Sequence, residues 1–274
     1  ALYAFDAEDF HLGDLPDLPQ YAFEKSLIRA IEGRYLPGCA YVTAASPGIA
    51  EAYARTYGIA RPTVVLNVFP RSQGPETVTS RGTVSPGPSI YWFSQTIGRN
   101  RGLECAVRAI ARAKSRPHLY LRGNPDEEFI STLRGITKNE GTEHQLHFLT
   151  PGPPSEMERL AAMYDAGLLG EIGHTENRRI ALTNKLFSYL LAGLPILMTD
   201  VPAHLALAGD LEKCAQFYSI DDADALAQVM DNWLLNDLAL KKARVSAWEL
   251  GRARFNWEYE KKRLLDRVNS VLLS

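Results

Sequence analysis

The sequence predicts an α/β protein with two Rossmann-like, doubly wound parallel-sheet domains, the first of them incomplete. Short runs rich in β-forming residues alternate with amphipathic helical runs along the whole chain, which is typical of parallel sheets covered by helices. Residues 71–89 interrupt this alternation with a run rich in Pro, Gly, Ser and Thr that reads as a linker. At about 30 residues per strand–helix unit, the part after the linker makes a complete doubly wound domain and the part before it about half of one.

The part before the linker contains three predicted strands, at residues 2–5, 40–44 and 62–68. Between the first two, Leu27, Ile28, Ile31 and Tyr35 fall on one helical face. Ser46 followed by Pro47 predicts the start of another helix. The chain opens on a strand with no initiator Met and no lead-in, so we expect upstream sequence, on the order of 90 residues, to be missing from this numbering.

The part after the linker repeats the strand–helix unit several times. Strands are predicted at residues 90–94, 119–121, 146–149, 167–169 and 195–199. Helices are predicted at residues 103–114, from 125, and at 157–164, 184–192 and 223–234. The remainder, residues 238–273, reads as helical with a break near Gly251, and Asn256 is a predicted N-cap for the last segment.

Composition excludes several classes of protein. The chain is 46% hydrophobic and 23% charged with a formal net charge of −2, so it is neither disordered nor a good candidate for binding nucleic acid. The cysteines Cys39, Cys105 and Cys214 are isolated, without disulfide or metal-ligand spacing, which favours a reducing compartment. No signal peptide or span of about 20 apolar residues is present. The sequence therefore predicts a cytoplasmic protein.

The strongest motif covers residues 183–200. It combines a helix start that carries Lys185, an apolar helix, a Gly C-cap and a buried strand. A helix N-terminus offers free N–H groups and a positive dipole end, both suited to a phosphate, and Lys185 adds a full charge there. On spacing alone, a solvated lysine beside ordinary packing residues explains the pattern equally well.

A second motif runs from Trp92 to Leu103, a strand that leads through a turn into a helix. Gly98 and Gly102 flank two arginines, Arg99 and Arg101. Ligands of open α/β sheets bind at the carboxyl ends of strands, where this turn lies. The motif is neither GxGxxG nor GxxxxGK[ST], which disfavours generic dinucleotide-binding and ATPase interpretations. Taken singly, both arginines read better as surface residues.

Taken together and in order, these motifs resemble the donor domain of family 4 retaining glycosyltransferases of the GT-B fold. The resemblance includes an Arg-Gly helix start, a strand ending at Gly123, a His-Phe-Leu strand, and Asn-Lys-Leu-Phe-x-Tyr-Leu followed by Gly-x-Pro at Gly193. Upstream it includes acidic residues and His11 after the first strand. Near the end, Phe-Asn-Trp-Glu resembles the helix that returns to the first domain. The order of motifs is similar over nearly the whole chain.

The resemblance implies a division of the chain and a reaction. Residues 1–70 would be half of the acceptor-side domain, residues 90–250 the donor-binding domain, and residues 251–274 the returning helix. The reaction would transfer a sugar, with retention, from a nucleoside diphosphate sugar to an acceptor hydroxyl, without cofactor or metal. The acceptor would be a saccharide or a lipid-linked glycan, and peripheral association with a membrane is an open expectation.

The resemblance also implies site residues. Arg101, Lys185 and the helix start at Asn184 would stabilise the leaving diphosphate, and His11 matches the family's active-site histidine. The residues expected to bind the donor are Gln95, Thr96, Gly98, Arg101, Gly123, Pro151, Thr183, Asn184, Lys185 and Ser188. Within this set, backbone around Pro151 would contact the base.

The chain departs from the family at its two glutamates eight positions apart. Ser188 stands at the second position and Ile180 at the first. Glu171 or Glu176, in the preceding loop, would then contact the sugar. This departure keeps two alternatives open: a non-catalytic nucleotide-sugar-binding module and a sugar-nucleotide 2-epimerase on the same fold.

Two metal-like signals have simpler explanations. Asp222 and Asp224 match the DxD pattern of metal-dependent glycosyltransferases, but they precede an amphipathic helix, where carboxylates cap N–H groups. The six histidines lack the spacing of metal ligands. We therefore predict a cap at Asp222 and no metal site.

Overall fold

The computed structural model describes residues 2–84 and 87–273. Ala1, Ser85, Pro86 and Ser274, which belong to the predicted first domain, linker and C-terminal segment, lie outside the described residues. Two parallel sheets organise the molecule, one of three strands and one of six. We call the parts built on them the first and the second domain. The predicted α/β class with two parallel sheets, the first smaller, is confirmed.

All strands are short except β4 and β5. The first sheet contains β1 (Phe5–Ala7), β2 (Val42–Ala44) and β3 (Thr63–Val64), and the second contains β4 (Ser89–Ile97), β5 (His118–Pro125), β6 (Leu146–Leu149), β7 (Ala166–Leu169), β8 (Ile196–Thr199) and β9 (Ala215–Tyr218).

Thirteen α-helices connect and cover these strands within the described residues. They are α1 (His11–Asp14), α2 (Ala22–Tyr35), α3 (Pro47–Tyr57), α4 (Leu103–Arg112), α5 (Glu127–Glu140), α6 (Met157–Ala161), α7 (Glu176–Ile180), α8 (Asn184–Ala192), α9 (Pro202–Leu205), α10 (Ala208–Leu211), α11 (Ala223–Leu234), α12 (Asp237–Ala253) and α13 (Trp257–Leu272).

Strand order fixes where a ligand can bind in the second domain. The strands lie in the order β6-β5-β4-β7-β8-β9, with every pair parallel. The chain therefore winds outward in one direction from β4 and then in the other from β7. Such a reversal leaves a crevice between the two central strands at their carboxyl ends.

Most elements of the second domain follow the predicted pattern. The predicted bounds of β6 and α8 match the observed ones. Helices α9 and α10 and strand β9 were missed, since each has only four residues and none shows periodicity. The predicted caps at Ser46 and Asn256 are confirmed: their side chains accept from the backbone N–H of Ile49 and Tyr259.

The first domain differs more from its prediction. Its first strand is Phe5–Ala7 rather than residues 2–5, and α2 buries Glu32 while Leu27, Ile31 and Tyr35 stay exposed. The Glu32 carboxylate accepts hydrogen bonds from the hydroxyl groups of Tyr53 and Tyr57 on α3. These polar contacts, which no apolar period reveals, turn that face of α2 toward α3.

The described part of the predicted linker packs against the second domain. Trp248 donates its indole N–H to the carbonyl of Pro75, and Arg244 donates to the carbonyl of Thr79. A Cβ on Gly74 would lie 2.8 Å from the carbonyl oxygen of Leu191, so the chain lies directly on α8. Residue 89, predicted as linker, begins β4.

Helix α13 returns to the first domain. The N–H of Trp257 donates to the carbonyl of Phe69, and the Glu260 carboxylate accepts from the N–H of Leu66. The break before α13 falls at residues 254–256 rather than at Gly251. These contacts hold the end of the chain against the segment that follows β3.

Candidate functional site

A cavity of about 320 Å³ lies between the two domains, at the carboxyl ends of β4 and β7. Four of its lining residues belong to the first domain: Glu8, Asp9, Ala45 and Asn67. The others belong to the second domain: Phe93, Ser94, Gln95, Arg101, Arg178, Ala181, Leu182, Thr183, Asn184 and Lys185. Both domains therefore contribute side chains to the crevice that the strand order implies.

Strand β4 is irregular where it reaches the cavity. Its register with β5 shifts between Phe93 and Thr96, so Ser94 and Gln95 leave the ladder and line the cavity. Gly123 of β5 has φ +154°, and a Cβ there would lie 2.5 Å from the carbonyl oxygen of Ser94. Gly123 is not part of the cavity lining, but it lets β5 pack closely against the distorted end of β4.

Two glycines let the turns after β4 and β7 touch. Gly102 has φ +66°, and a Cβ there would lie 2.3 Å from the carbonyl oxygen of Gly170. A Cβ on Gly170 would lie 2.7 Å from the carbonyl oxygen of Arg101. Because neither turn carries a side chain at the contact, Arg101 and Glu171 lie next to each other.

Arg101, Lys185 and Glu171 form one buried charge cluster. The Lys185 Nζ is 3.2 Å from Glu171 Oε1, and an Arg101 guanidinium nitrogen is 3.6 Å from Oε2. The side chains of Lys185 and Glu171 are only 9% and 4% exposed. Two cations predicted from motifs 84 positions apart therefore share a single carboxylate at the cavity wall.

The pKa shifts in this cluster agree with its burial and charge. Burial alone would raise the pKa of Glu171, but the Lys185 and Arg101 cations hold it below its usual value. Burial lowers the pKa of Lys185, and the Glu171 carboxylate opposes that shift. The nearby guanidinium groups of Arg101 and Arg178 lower it further. The wall carries more positive charge than its one carboxylate balances.

The N-terminus of α8 completes this wall. Thr183 occupies the N-cap position without a side-chain capping bond, and its hydroxyl is buried with no hydrogen-bond partner among the described residues. Asn184 and Lys185 follow in the first turn and line the cavity. Free N–H groups, an unpartnered hydroxyl and a positive dipole end together favour a bound anion.

The wall contributed by the first domain is acidic. Glu8 and Asp9 follow β1 and line the cavity, and Asp9 also accepts a hydrogen bond of 2.7 Å from the amide of Asn177. Asn67, which follows β3, adds an amide. From the sequence, Glu8 and Asp9 were recognised only as acidic residues that follow a strand, with no functional role. Asn67 and Arg178 were not recognised as site residues.

The structure distributes the remaining predicted donor residues unevenly. Gln95 lines the cavity together with Thr183, Asn184 and Lys185, whereas Thr96 and Gly98 lie beyond its lining. Pro151 is exposed at the end of β6, beside Arg122, which donates to the carbonyl of Thr150. A base-contacting role for this loop stays a prediction.

Glu176 and His11 do not face the cavity. The Glu176 side chain is 53% exposed and pairs with Arg55 at 3.3 Å. His11 is 51% exposed, and its Nδ1 lies 2.8 Å from Glu32 Oε1 on α2. Each side chain is bonded to a residue of another helix and lies outside the lining of the cavity, and its catalytic role stays a prediction.

Ser188 is also directed away from the cavity. It is buried one turn into α8, and its hydroxyl donates to Glu158 Oε1 at 2.7 Å. Burial raises the pKa of Glu158. Ser188 therefore joins α8 to α6, and its predicted donor contact stays a prediction.

Arg99 and the two aspartates of the DxD pattern have partners of their own. Arg99 pairs with Glu128 at 2.7 Å, Asp222 accepts the N–H of Ala225 at 2.8 Å, and Asp224 pairs with Arg112 at 2.9 Å. The predicted cap at Asp222 is confirmed. Across residues 2–84 and 87–273, no group of three or more His, Cys, Asp or Glu side chains is arranged to hold a metal ion.

None of the helices that the structure describes has the length and apolar character needed to cross a bilayer.

Comparisons with known proteins find matches in structure but not in sequence. No family model matches the chain, and no curated protein matches it. HepE of Anabaena, solved with UDP, aligns with a TM-score of 0.77 at 14% identity over 98% of this chain and 72% of that chain. Sucrose-phosphate synthase of Thermosynechococcus elongatus aligns with a TM-score of 0.77 at 14% identity, over 98% and 68% of the two chains. A glycosyltransferase of Rickettsia africae aligns with a TM-score of 0.76 at 13% identity, over 98% of this chain and 70% of that chain.

These structures are GT-B glycosyltransferases, and the fold implied by the sequence resemblance is confirmed: the chain has the GT-B fold.

Proposed function

We propose that this protein is a glycosyltransferase that moves a sugar from a nucleoside diphosphate sugar to an acceptor hydroxyl, with retention of configuration. The observation that carries the proposal is the convergence of Arg101, Lys185 and the α8 N-terminus on one cavity between two domains. In such a reaction, negative charge develops on the leaving diphosphate. Cations and N–H groups fixed in place before the reaction stabilise that charge without reorganisation.

The cationic wall of the cavity is complementary to the diphosphate of the donor, and the acidic wall can bond the hydroxyl groups of its sugar. The diphosphate would lie on the second domain, against Arg101, Lys185 and the start of α8, with the base toward the loop at Pro151. The sugar would then face Glu8 and Asp9 of the first domain, whose carboxylates accept hydrogen bonds from hydroxyl groups. The acceptor, a saccharide or a lipid-linked glycan, would enter from that side.

The GT-B neighbours support the proposal at the level of the donor. HepE was solved with UDP and with UDP-glucose. UDP is therefore the first nucleotide to test here, and UDP-glucose the first donor.

A non-catalytic nucleotide-sugar-binding module is the second candidate. It is favoured by Ser188, which stands where the resemblance expects a glutamate and is bonded to Glu158 instead of facing the cavity. Both candidates bind nucleotide, but only the transferase releases it from a donor. A 2-epimerase would instead isomerise the donor with no acceptor present.

The test is a thermal-shift panel of UDP, GDP and ADP with their glucose conjugates, followed by an assay for nucleotide released from the preferred donor. We expect one nucleotide series to stabilise the protein and to be released on incubation. Binding without release would favour the binding module, and a donor converted to its epimer would favour the epimerase. If no nucleotide binds, the proposed function is wrong.

The absence of a metal requirement is also a proposal. Calorimetry with the preferred nucleotide should give affinities within about twofold of each other in EDTA and in magnesium. A tenfold loss in EDTA would contradict it.

A further inference from the structure

Helix α7 belongs to the second domain in sequence but is bonded to the first. Asn177, which is fully buried, accepts a hydrogen bond of 2.8 Å from the N–H of Phe10. Its amide donates to Asp9 Oδ1 at 2.7 Å and to Asp14 Oδ1 at 3.2 Å. One side chain thus satisfies three polar groups of the segment that follows β1.

The packing around these hydrogen bonds is close. The hydroxyl of Ser46 donates to the carbonyl of Ile180 at 2.7 Å, and a Cβ on Gly48 would lie 2.7 Å from the Ile180 Cβ. On the other side, a Cβ on Gly13 would lie 3.1 Å from the Glu176 Cβ. A helix of five residues has no stability of its own. Its position therefore depends on these contacts with the first domain.

Arg178 follows Asn177 in α7 and lines the cavity, as Arg101 and Lys185 do. It is half-buried, and within residues 2–84 and 87–273 it has no ion-pair partner. Its positive charge contributes to the lowered pKa of Lys185, after burial and the charge of Arg101.

Charge balance favours an anion at Arg178. On the second-domain side of the cavity, three cations face one carboxylate, Glu171, which gives 3 − 1 = 2 positive charges. Without Arg178 the balance would be 2 − 1 = 1. The diphosphate of a sugar nucleotide carries about two negative charges near neutral pH. The second-domain wall therefore matches the charge of a diphosphate when Arg178 is in place, whereas Glu8 and Asp9 on the opposite wall bring the charge of the whole cavity to 3 − 3 = 0.

We propose that Arg178 is a third cation for the donor diphosphate and that Asn177 is the residue that positions it, so that contact between the domains sets the affinity of the phosphate site. The inference rests on the proposed function, because it assigns the diphosphate to this cavity. Arg178 binds the ligand directly, whereas Asn177 acts only through the placement of α7.

The experiment is a double-mutant cycle read by calorimetry with the nucleoside diphosphate that stabilises the protein best among UDP, GDP and ADP. Arg178→Ala removes one charge-assisted contact, so we expect about a ten- to hundredfold loss of affinity. Asn177→Ala should give a similar or smaller loss. The double variant should bind no more weakly than Arg178→Ala alone, since both changes remove the same contact. The parent nucleoside should bind all variants alike.

Two further variants keep the test decisive. Arg179→Ala removes a neighbouring exposed arginine of α7 that does not line the cavity, so affinity should stay within about twofold. Asp14→Ala weakens the same bond from an exposed position if Asn177→Ala does not fold, and we expect about a two- to fivefold loss.

Each outcome has a defined meaning. If Lys185→Ala weakens binding tenfold but Arg178→Ala does not, the role of Arg178 is wrong while the proposed function stands. If the losses of Asn177→Ala and Arg178→Ala multiply in the double variant, Asn177 does not act through Arg178. If neither the wild type nor any variant binds a nucleotide, the proposed function itself fails.

Discussion

The two walls of the interdomain cavity differ in charge, in burial and in the elements that hold them. The second-domain wall is cationic, largely buried, and mounted on strand ends and on α8, a helix of nine residues. The first-domain wall is acidic and more exposed, and Glu8 and Asp9 lie on the loop after a strand of three residues. The difference shows a cavity whose cationic half is held in place by buried contacts and whose acidic half is held by loops.

The difference in charge and burial between the two walls also predicts that they affect different steps, nucleotide binding and turnover. Buried cations interact strongly with an anion because the surrounding dielectric is low, whereas exposed carboxylates interact weakly with distant charges and act through direct hydrogen bonds. We therefore expect substitutions in the cationic wall to change nucleotide affinity. Substitutions in the acidic wall should instead change turnover.

The largest effect on stability is expected at Glu171, whose carboxylate pairs with both Lys185 and Arg101. Glu171→Gln leaves Lys185 buried without its ion-pair partner, and breaking such a pair costs about 3–5 kcal/mol of the free energy of unfolding. Chemical denaturation should detect this loss, and a bound diphosphate should recover part of it by supplying negative charge. A variant as stable as the wild type would show that Glu171 does not organise the wall.

Loss of either predicted cation should come next. Arg101→Ala and Lys185→Ala each remove a charge-assisted contact worth roughly 1.5–3 kcal/mol, so nucleoside diphosphate affinity should fall about ten- to a hundredfold in calorimetry. The parent nucleoside should bind as before. Arg99→Ala is the matched control, since Arg99 is engaged with Glu128 outside the cavity. Equal losses in all three variants would contradict a localised phosphate site.

A smaller and different effect is expected on the acidic wall. Glu8→Gln removes the charge from a residue that would bond a hydroxyl of the sugar or the acceptor, at a cost of about 1.5 kcal/mol. We expect kcat to fall about tenfold while nucleotide affinity changes by less than about twofold. A loss of nucleotide affinity without a loss of kcat would remove the distinction between the walls.

The smallest effect concerns a histidine pair remote from both walls. His118 Nδ1 lies 2.8 Å from His147 Nε2, and burial, with the charge of neighbouring histidines, lowers the pKa of both. A lowered pKa means that the folded state binds protons less readily than the unfolded state. The pair therefore stabilises the fold above pH 6.5, the usual histidine pKa, and stability is lost as the pH falls below it.

Thermal unfolding between pH 7.5 and pH 5 should show this fall, with a shallower slope in the His118→Gln and His147→Gln double variant. His144→Gln removes a neighbouring charge that lowers the pKa of both histidines, so it should reduce the slope by less than the double variant does. An unchanged slope in the double variant would mean that other groups cause the acid sensitivity.

The sequence predicted the cationic wall better than the acidic one for a physical reason. Arg101 and Lys185 lie at the boundaries between regular elements, and the strand order alone brings those boundaries to one crevice. Arg178, Glu176 and His11 lie in short helices whose rotation is fixed by contacts far along the chain. No local periodicity records those contacts, so the sequence placed Glu176 and His11 near the site without their orientation and gave Arg178 no role.

Ser188 illustrates the same limit within a helix whose bounds were predicted correctly. The resemblance identified the position, but the helix buries that face against α6. The apolar character of α8 on all sides removes the amphipathic signal that would have distinguished its inner face from its cavity face.

The opposed charges of the two walls bear on how a product would leave. A sugar nucleotide carries about two negative charges on its diphosphate, whereas the nucleoside diphosphate that remains after transfer carries about three. The added charge arises on the terminal phosphate, the end that faces Glu8 and Asp9 in the proposed arrangement. Each transfer would therefore increase repulsion between the spent nucleotide and the first domain and strengthen its attraction to the cationic wall, so that the second domain alone would hold the spent nucleotide.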